Sequence, residues 1–160
     1  MATFTAAAAA ANKARYQPLG SNSVCAVTGF VDVGANPAPG DVYQLCRVPA
    51  GATVIGGALY SGDLDTNATE TLDIDVGWQF NGTDAADPDG FGNLGVQGTD
   101  TVAGVKPEAG YNFQFGGVLI TEGPKTFARD TVIAATCVAA AATFAAGRLS
   151  CVVYYINQNS

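Results

Sequence analysis

Apolar and polar side chains alternate along residues 71–80. Leu72, Ile74, Val76, Trp78 and Phe80 fall on one face, and Thr71, Asp73, Asp75, Gly77 and Gln79 on the other. A period of two predicts an antiparallel strand with one face buried and the other in water. Residues 24–33 alternate more loosely, with Cys25, Val27, Val31 and Val33 on one side. Further β runs cover residues 41–48, 53–60, 113–120, 131–138 and 148–156. Turn signals separate them: Asn36-Pro37-Ala38-Pro39-Gly40, Pro49-Ala50-Gly51, Asn81-Gly82, Asp87-Pro88-Asp89-Gly90, Glu122-Gly123-Pro124 and Ala146-Gly147. About seven or eight short strands with Gly/Pro turns and no helical periodicity predict an all-β fold. The expected form is an antiparallel β-sandwich of jelly-roll type, with a partly open barrel as the alternative.

The first residues read differently. An alanine run precedes Lys13 and Arg15, the only charges of the opening segment. Alanine favours helix, but so short a run does not hold alone in water. Residues 1–20 are therefore expected to form an extended arm, ordered where it lies against something else, and residues 21–160 a single sandwich domain. Residues 81–110 make the longest connection, a length usually reserved for functional or contact-making loops.

Composition sharpens this. With 160 residues, one domain with one sizeable core is expected. Charged residues are only 13% of the chain and apolar ones 48%, which is neither a disordered nor a helical-bundle composition. A net charge of −7 speaks against binding a phosphate backbone. Histidine is absent, which removes histidine-based triads, metal sites and pH switches. The longest uncharged stretch, residues 131–147, has 17 residues rich in Ala and Thr, too short and too weakly apolar to span a bilayer. The N-terminal order of Ala run before basic residues is the reverse of a secretory signal. Cys25, Cys46, Cys137 and Cys151 are widely spaced, each in an apolar run, and read as small buried hydrophobes in a reducing compartment.

Candidate chemistry is sparse. Nine acids and no Lys or Arg lie between Val48 and Val105, an oxygen-rich region suited to a hard cation. Asp87, Asp89 and Asn93 form the nearest approach to a calcium loop, but the third ligand before the glycine and the closing glutamate are missing. Asp73 and Asp75 share one face of their strand. They could act as an acid–base pair, but are expected to be a solvated outer face that deters edge pairing. Gly90-Phe91-Gly92-Asn93-Leu94-Gly95 matches a phosphate-loop pattern by letters without the strand–helix context it needs. The pairs Gly56-Gly57 and Gly116-Gly117 fall inside expected strands and mark bulges or close backbone approach. No nucleophile, cofactor motif or metal set emerges, and the expectation is a non-enzymatic protein without cofactor. So few charges leave apolar surface uncovered, which points to an oligomer or a larger assembly. The Ala-rich segment 138–146 with Phe144 suits a contact layer.

Three segments and the chain's last strand carry a resemblance. They are Arg15-Tyr16-Gln17-Pro18-Leu19-Gly20-Ser21-Asn22-Ser23-Val24 after the Ala/Asn-rich arm, Val48-Pro49-Ala50-Gly51-Ala52-Thr53-Val54-Ile55-Gly56-Gly57, and Thr71-Leu72-Asp73-Ile74-Asp75-Val76-Gly77-Trp78. The end is Ala145-Ala146-Gly147-Arg148-Leu149-Ser150-Cys151-Val152-Val153-Tyr154-Tyr155. In style and order these resemble the small virion structural proteins of tailed bacteriophages, in particular head-decoration or cement proteins. The resemblance implies a jelly-roll homotrimer on the capsid exterior, made in the host bacterial cytoplasm. Its partner would be the major capsid protein, and its task to bridge capsomers against internal DNA pressure. The arm would reach the shell or a neighbouring subunit, with Phe4, Lys13, Arg15, Tyr16 and Phe144 as contact residues. Two other readings compete. One is a carbohydrate-binding module with Phe91 and Tyr111 as stacking platforms, and the other a receptor-binding component of the virion or a capsid-forming subunit itself, for which 160 residues is small.

Overall fold

The computed structural model describes residues 1–10, 23–93, 95 and 110–157. In chain order the strands are β1 (Thr3–Thr5), β2 (Val24–Val33), β3 (Val42–Val48), β4 (Ala52–Gly62), β5 (Asp73–Trp78), β6 (Asp87–Gly92), β7 (Gly110–Gln114), β8 (Lys125–Thr126), β9 (Thr131–Ala139) and β10 (Gly147–Asn157). They form two sheets, one ordered β1-β3-β9-β5-β6 and the other β2-β10-β4-β7 with β8 also on β4. All pairs are antiparallel except β1 with β3. From β2 to β5 the chain changes sheet at every step, and again from β6 to β7, from β8 to β9 and from β9 to β10. Such a path needs apolar side chains on the inner face of both sheets.

Alternation supplies them. Ile74, Val76 and Trp78 of the first sheet and Leu149, Cys151, Val153 and Tyr155 of the second are all buried in one cluster, which makes the molecule a β-sandwich. Its widest part is aromatic. Trp78 meets Phe91 at 5.0 Å and Phe127 at 5.3 Å, both edge-on, while Phe91 stacks on Phe115. Edge-on pairs of this kind add ~0.5–1.5 kcal/mol each beyond burial. The indole N–H donates to the Ala85 carbonyl at 2.9 Å, so the ring is buried without an orphaned donor.

Several expectations need correction. Residues 113–120 do not form one strand. β7 ends at Gln114, and a short helix, α1 (Val118–Thr121), follows. Gly117 makes the break: its φ is +52°, and a Cβ there would lie 2.4 Å from the Gly90 carbonyl oxygen. Gly116-Gly117 thus mark close approach, but not inside a strand. Asp87-Pro88-Asp89-Gly90 is not a turn but the edge strand β6, a place where proline costs no ladder bond. Gly90 is needed there because the Trp78 ring lies where a Cβ would be, at 2.2 Å.

The outer face of β5 is not solvated. Asp75 is only 7% exposed, and two residues along the same face the Asp87–Pro88 backbone closes over Gly77. The strand also stops at Trp78, leaving Phe80 outside the core and 67% exposed. Gly56-Gly57 behaves as expected. The β4–β10 register slips beside Gly56, and a Cβ on Gly57 would meet the Val152 carbonyl oxygen at 2.5 Å.

Candidate functional site

The face of the second sheet that points away from the core carries little charge. Along β2 the outward positions are Val24, Ala26, Thr28, Phe30 and Asp32, and along β10 Arg148, Ser150, Val152, Tyr154 and Ile156, paired across the ladder in reverse order. On β4, Gly56, Ala58 and Tyr60 continue the rows from Tyr154, Val152 and Ser150. Val24, Phe30, Tyr60 and Tyr154 are among the large apolar side chains left exposed. An ion pair sits at the end of the face, with Arg148 Nε 2.7 Å from Asp32 Oδ1 and its guanidinium 4.0 Å over the Phe30 ring. A groove of about 1050 Å³ runs over this surface, with Thr5, Ala6 and Ala7 as one wall. Residues 148–156 had shown the signal in sequence, since both of their faces are apolar, as in a strand covered on two sides.

The wall is the start of the chain. Thr3–Thr5 pairs in parallel with β3, and a 3-10 turn follows over Ala7–Ala9. Ala6 and Ala9 are buried, and Arg47 Nε donates to the Ala9 carbonyl at 3.1 Å. The surface against which these first residues lie is therefore the chain's own β3, with β2 beside the turn. Phe4 stacks on Tyr43 at 4.9 Å, extending the core past its edge while staying 39% exposed itself. Burial, with the Asp41 carboxylate nearby, pushes the Tyr43 hydroxyl up to about 12. Lys13, Arg15 and Tyr16 lie outside the described residues.

Phe144 is partly buried against the core and bridged to Asp65. Asp65 organises that end. Its Oδ1 accepts backbone N–H groups from Asn67 and Thr143, and its Oδ2 those of Thr71, Leu72 and Ala142, at 2.8–3.3 Å. Burial would raise the pKa of this carboxyl, but the amide donors win and hold it at about 2. The acid is a structural clamp between two loops.

No protein-family model matches the chain, and no curated protein matches it. Solved structures do. The chain is similar to one in the capsid of Ralstonia phage GP4, with a TM-score of 0.73, 21% identity, and coverage of 99% of this chain and 100% of the other. In the capsid asymmetric unit of cyanophage Pam1 the values are 0.60 and 25%, over 92% and 95% of the two chains. In the acidic stable capsid of Helicobacter pylori bacteriophage KHP30 they are 0.58 and 19%, over 86% and 91%. All three come from phage capsids. They share this chain's sandwich fold.

The remaining candidates fare unequally. Asp87 and Asp89 are brought together. Burial first, then the hydrogen-bonded Asp89 carboxyl, raise Asp87 above the usual carboxylate range. Asn93 is exposed beyond the end of β6, and among the described residues no three His, Cys, Asp or Glu gather as metal ligands. Phe91 is fully buried and Tyr111 is 3% exposed, donating its hydroxyl to Glu70. Neither ring can stack on a sugar, which corrects their reading as platforms. All four cysteines are buried and unbridged, with Cys151 Sγ 3.5 Å from Cys46 Sγ across the two sheets. Among the described residues no helix is long and apolar enough to cross a membrane.

Proposed function

We propose that this chain is a non-enzymatic structural protein of a tailed-phage virion. It binds the capsid exterior as a homotrimer and bridges neighbouring capsomers of the major capsid protein. One observation carries the reading: the similarity to the GP4 capsid chain runs end to end, over 99% of this chain and 100% of that one. The match takes in the full length of the GP4 capsid chain, so a fold of this size has a place in that capsid.

The finer fold reading is a jelly roll. The orders β2-β10-β4-β7 and β3-β9-β5-β6 support it, as eight strands in two facing sheets, with β1 and β8 as additions. The sandwich from residue 21 onward is the body, and residues 1–20 are the arm that this reading assigns to attachment. The contribution is mechanical: a rigid body spanning two capsomers adds interface on each, and separating them then requires breaking both. A stable contact buries roughly 800 Å² per partner. Phe4, Lys13, Arg15, Tyr16 and Phe144 are the contact residues this reading assigns.

Shells assembled from the major capsid protein with and without the full chain test it. The expected result is co-sedimentation, added density on the outer surface by cryo-electron microscopy, and greater resistance to heating. Shells that stay bare, or that take up the chain inside, would overturn it.

A further inference from the structure

We propose that the outward face of β2, β10 and β4 is the surface through which copies of this chain meet one another. The face is apolar where it should be polar. In an antiparallel sheet with one face in water, outward positions normally carry charge. Here Val24, Phe30, Tyr60 and Tyr154 point outward and stay exposed. Val152 lies between Tyr60 and Tyr154 on the same face, with Gly56 and the buried Ala58 beside it on β4. The result is an aromatic and aliphatic surface of the composition that interface cores favour.

Charge selects the occupant. The chain as a whole is −7, so a second copy is repelled on approach except where the surface is neutral. In all of β2, β4 and β10 the sequence holds one acid and one base, Asp32 and Arg148, and they pair with each other at 2.7 Å. The acids gather elsewhere, in residues 63–89 and without a basic residue among them. A partner drawn by charge would be basic and would dock on that segment. A like-charged copy docks on the neutral face. The number of copies rests on the virion reading above. The choice of face does not.

Native mass spectrometry and sedimentation of the full chain, over a concentration series, test this. The wild type is expected to be oligomeric. Phe30→Lys and Tyr154→Lys are each expected to shift the mass to the single-chain 16.2 kDa with an unchanged far-UV spectrum. Two variants are used so that a folding failure in one leaves the other to report. Ile120→Lys changes a still more exposed apolar residue, on α1, and is expected to keep the oligomer. A wild type that is monomeric at every concentration would overturn the proposal, as would folded variants that both remain oligomeric. Binding to shells separates this from the virion reading. A monomeric wild type that still coats shells sinks only the interface, and an oligomer that leaves shells bare sinks only the capsid role.

Discussion

Asp65 Oδ1 accepts the backbone N–H of Thr143 at 2.9 Å, joining two loops that lie 78 residues apart in the chain. The same carboxylate holds Thr71, Leu72 and Ala142 with its other oxygen. Replacing Asp65 by Ala leaves several of these donors without an acceptor, and unfolding in urea should show a loss of about 3 kcal/mol or more. A loss below 1 kcal/mol would mean that water replaces the carboxylate freely.

The same residue sets an acid limit. Its folded pKa of about 2 lies below the ordinary 3.8, so its ionised form is favoured by folding. That contribution, about 2 kcal/mol, is complete above the unfolded pKa and disappears as pH falls through about 2. Urea midpoints measured from pH 6 down to pH 2 should fall in the wild type by more than in Asp65→Asn. Parallel curves for the two proteins would place the acid sensitivity elsewhere.

Gly90 and Gly34 make a matched pair. A Cβ at 90 would strike the Trp78 ring at 2.2 Å, whereas one at 34 meets nothing within 4 Å. Gly90→Ala is expected to destabilise by about 1–3 kcal/mol through overpacking, and Gly34→Ala to stay within about 0.5 kcal/mol. Thermal melts of both variants decide it.

The thiols should be silent in the folded protein. All four cysteines are buried. The hydrogen bond to Cys151, and then burial, push the Cys46 thiol well up, and burial pushes Cys137 to about 11. Since the thiolate is the reacting form, a thiol reagent at neutral pH should titrate almost none in the native chain and four after unfolding. Rapid native labelling would show that the sandwich opens readily.

Removing residues 1–16 takes the parallel partner from β3 and uncovers Tyr43 beneath Phe4. The sandwich should still fold, since its main ladders do not include this segment, with Tm lower by about 5 °C. Shell occupancy should fall as well. Full occupancy by the shortened chain would remove the arm from capsid attachment.

How far the sequence could be read depended on the kind of signal. β2 was legible to the residue, Val24–Val33, because its turn residues and alternation agree. β6 was read as a turn because Asp, Pro and Gly are turn formers in isolation. At a sheet edge the same residues can serve as strand, and only the position of the Trp78 ring requires glycine at 90. Asp75 was assigned to water by its period but is only 7% exposed, on a face where the Asp87–Pro88 backbone also closes over Gly77. The Asp65 clamp had no sequence signal, its donors being backbone groups from residues 67 to 143. Phe4 and Phe144 were expected to serve as contacts, and both also pack on the chain's own core or its edge.

The sequence by itself determined the all-β class, most strand positions, the inward faces and the burial of the cysteines. These follow from periodicity and from the free energy of removing apolar surface from water, which are local properties. Tertiary structure decided which strands are neighbours, which face is covered twice, where the first residues dock and which acid is held ionised in the interior. Each of those depends on what lies across the fold, and the amide donors and ring edges involved leave no pattern along the chain.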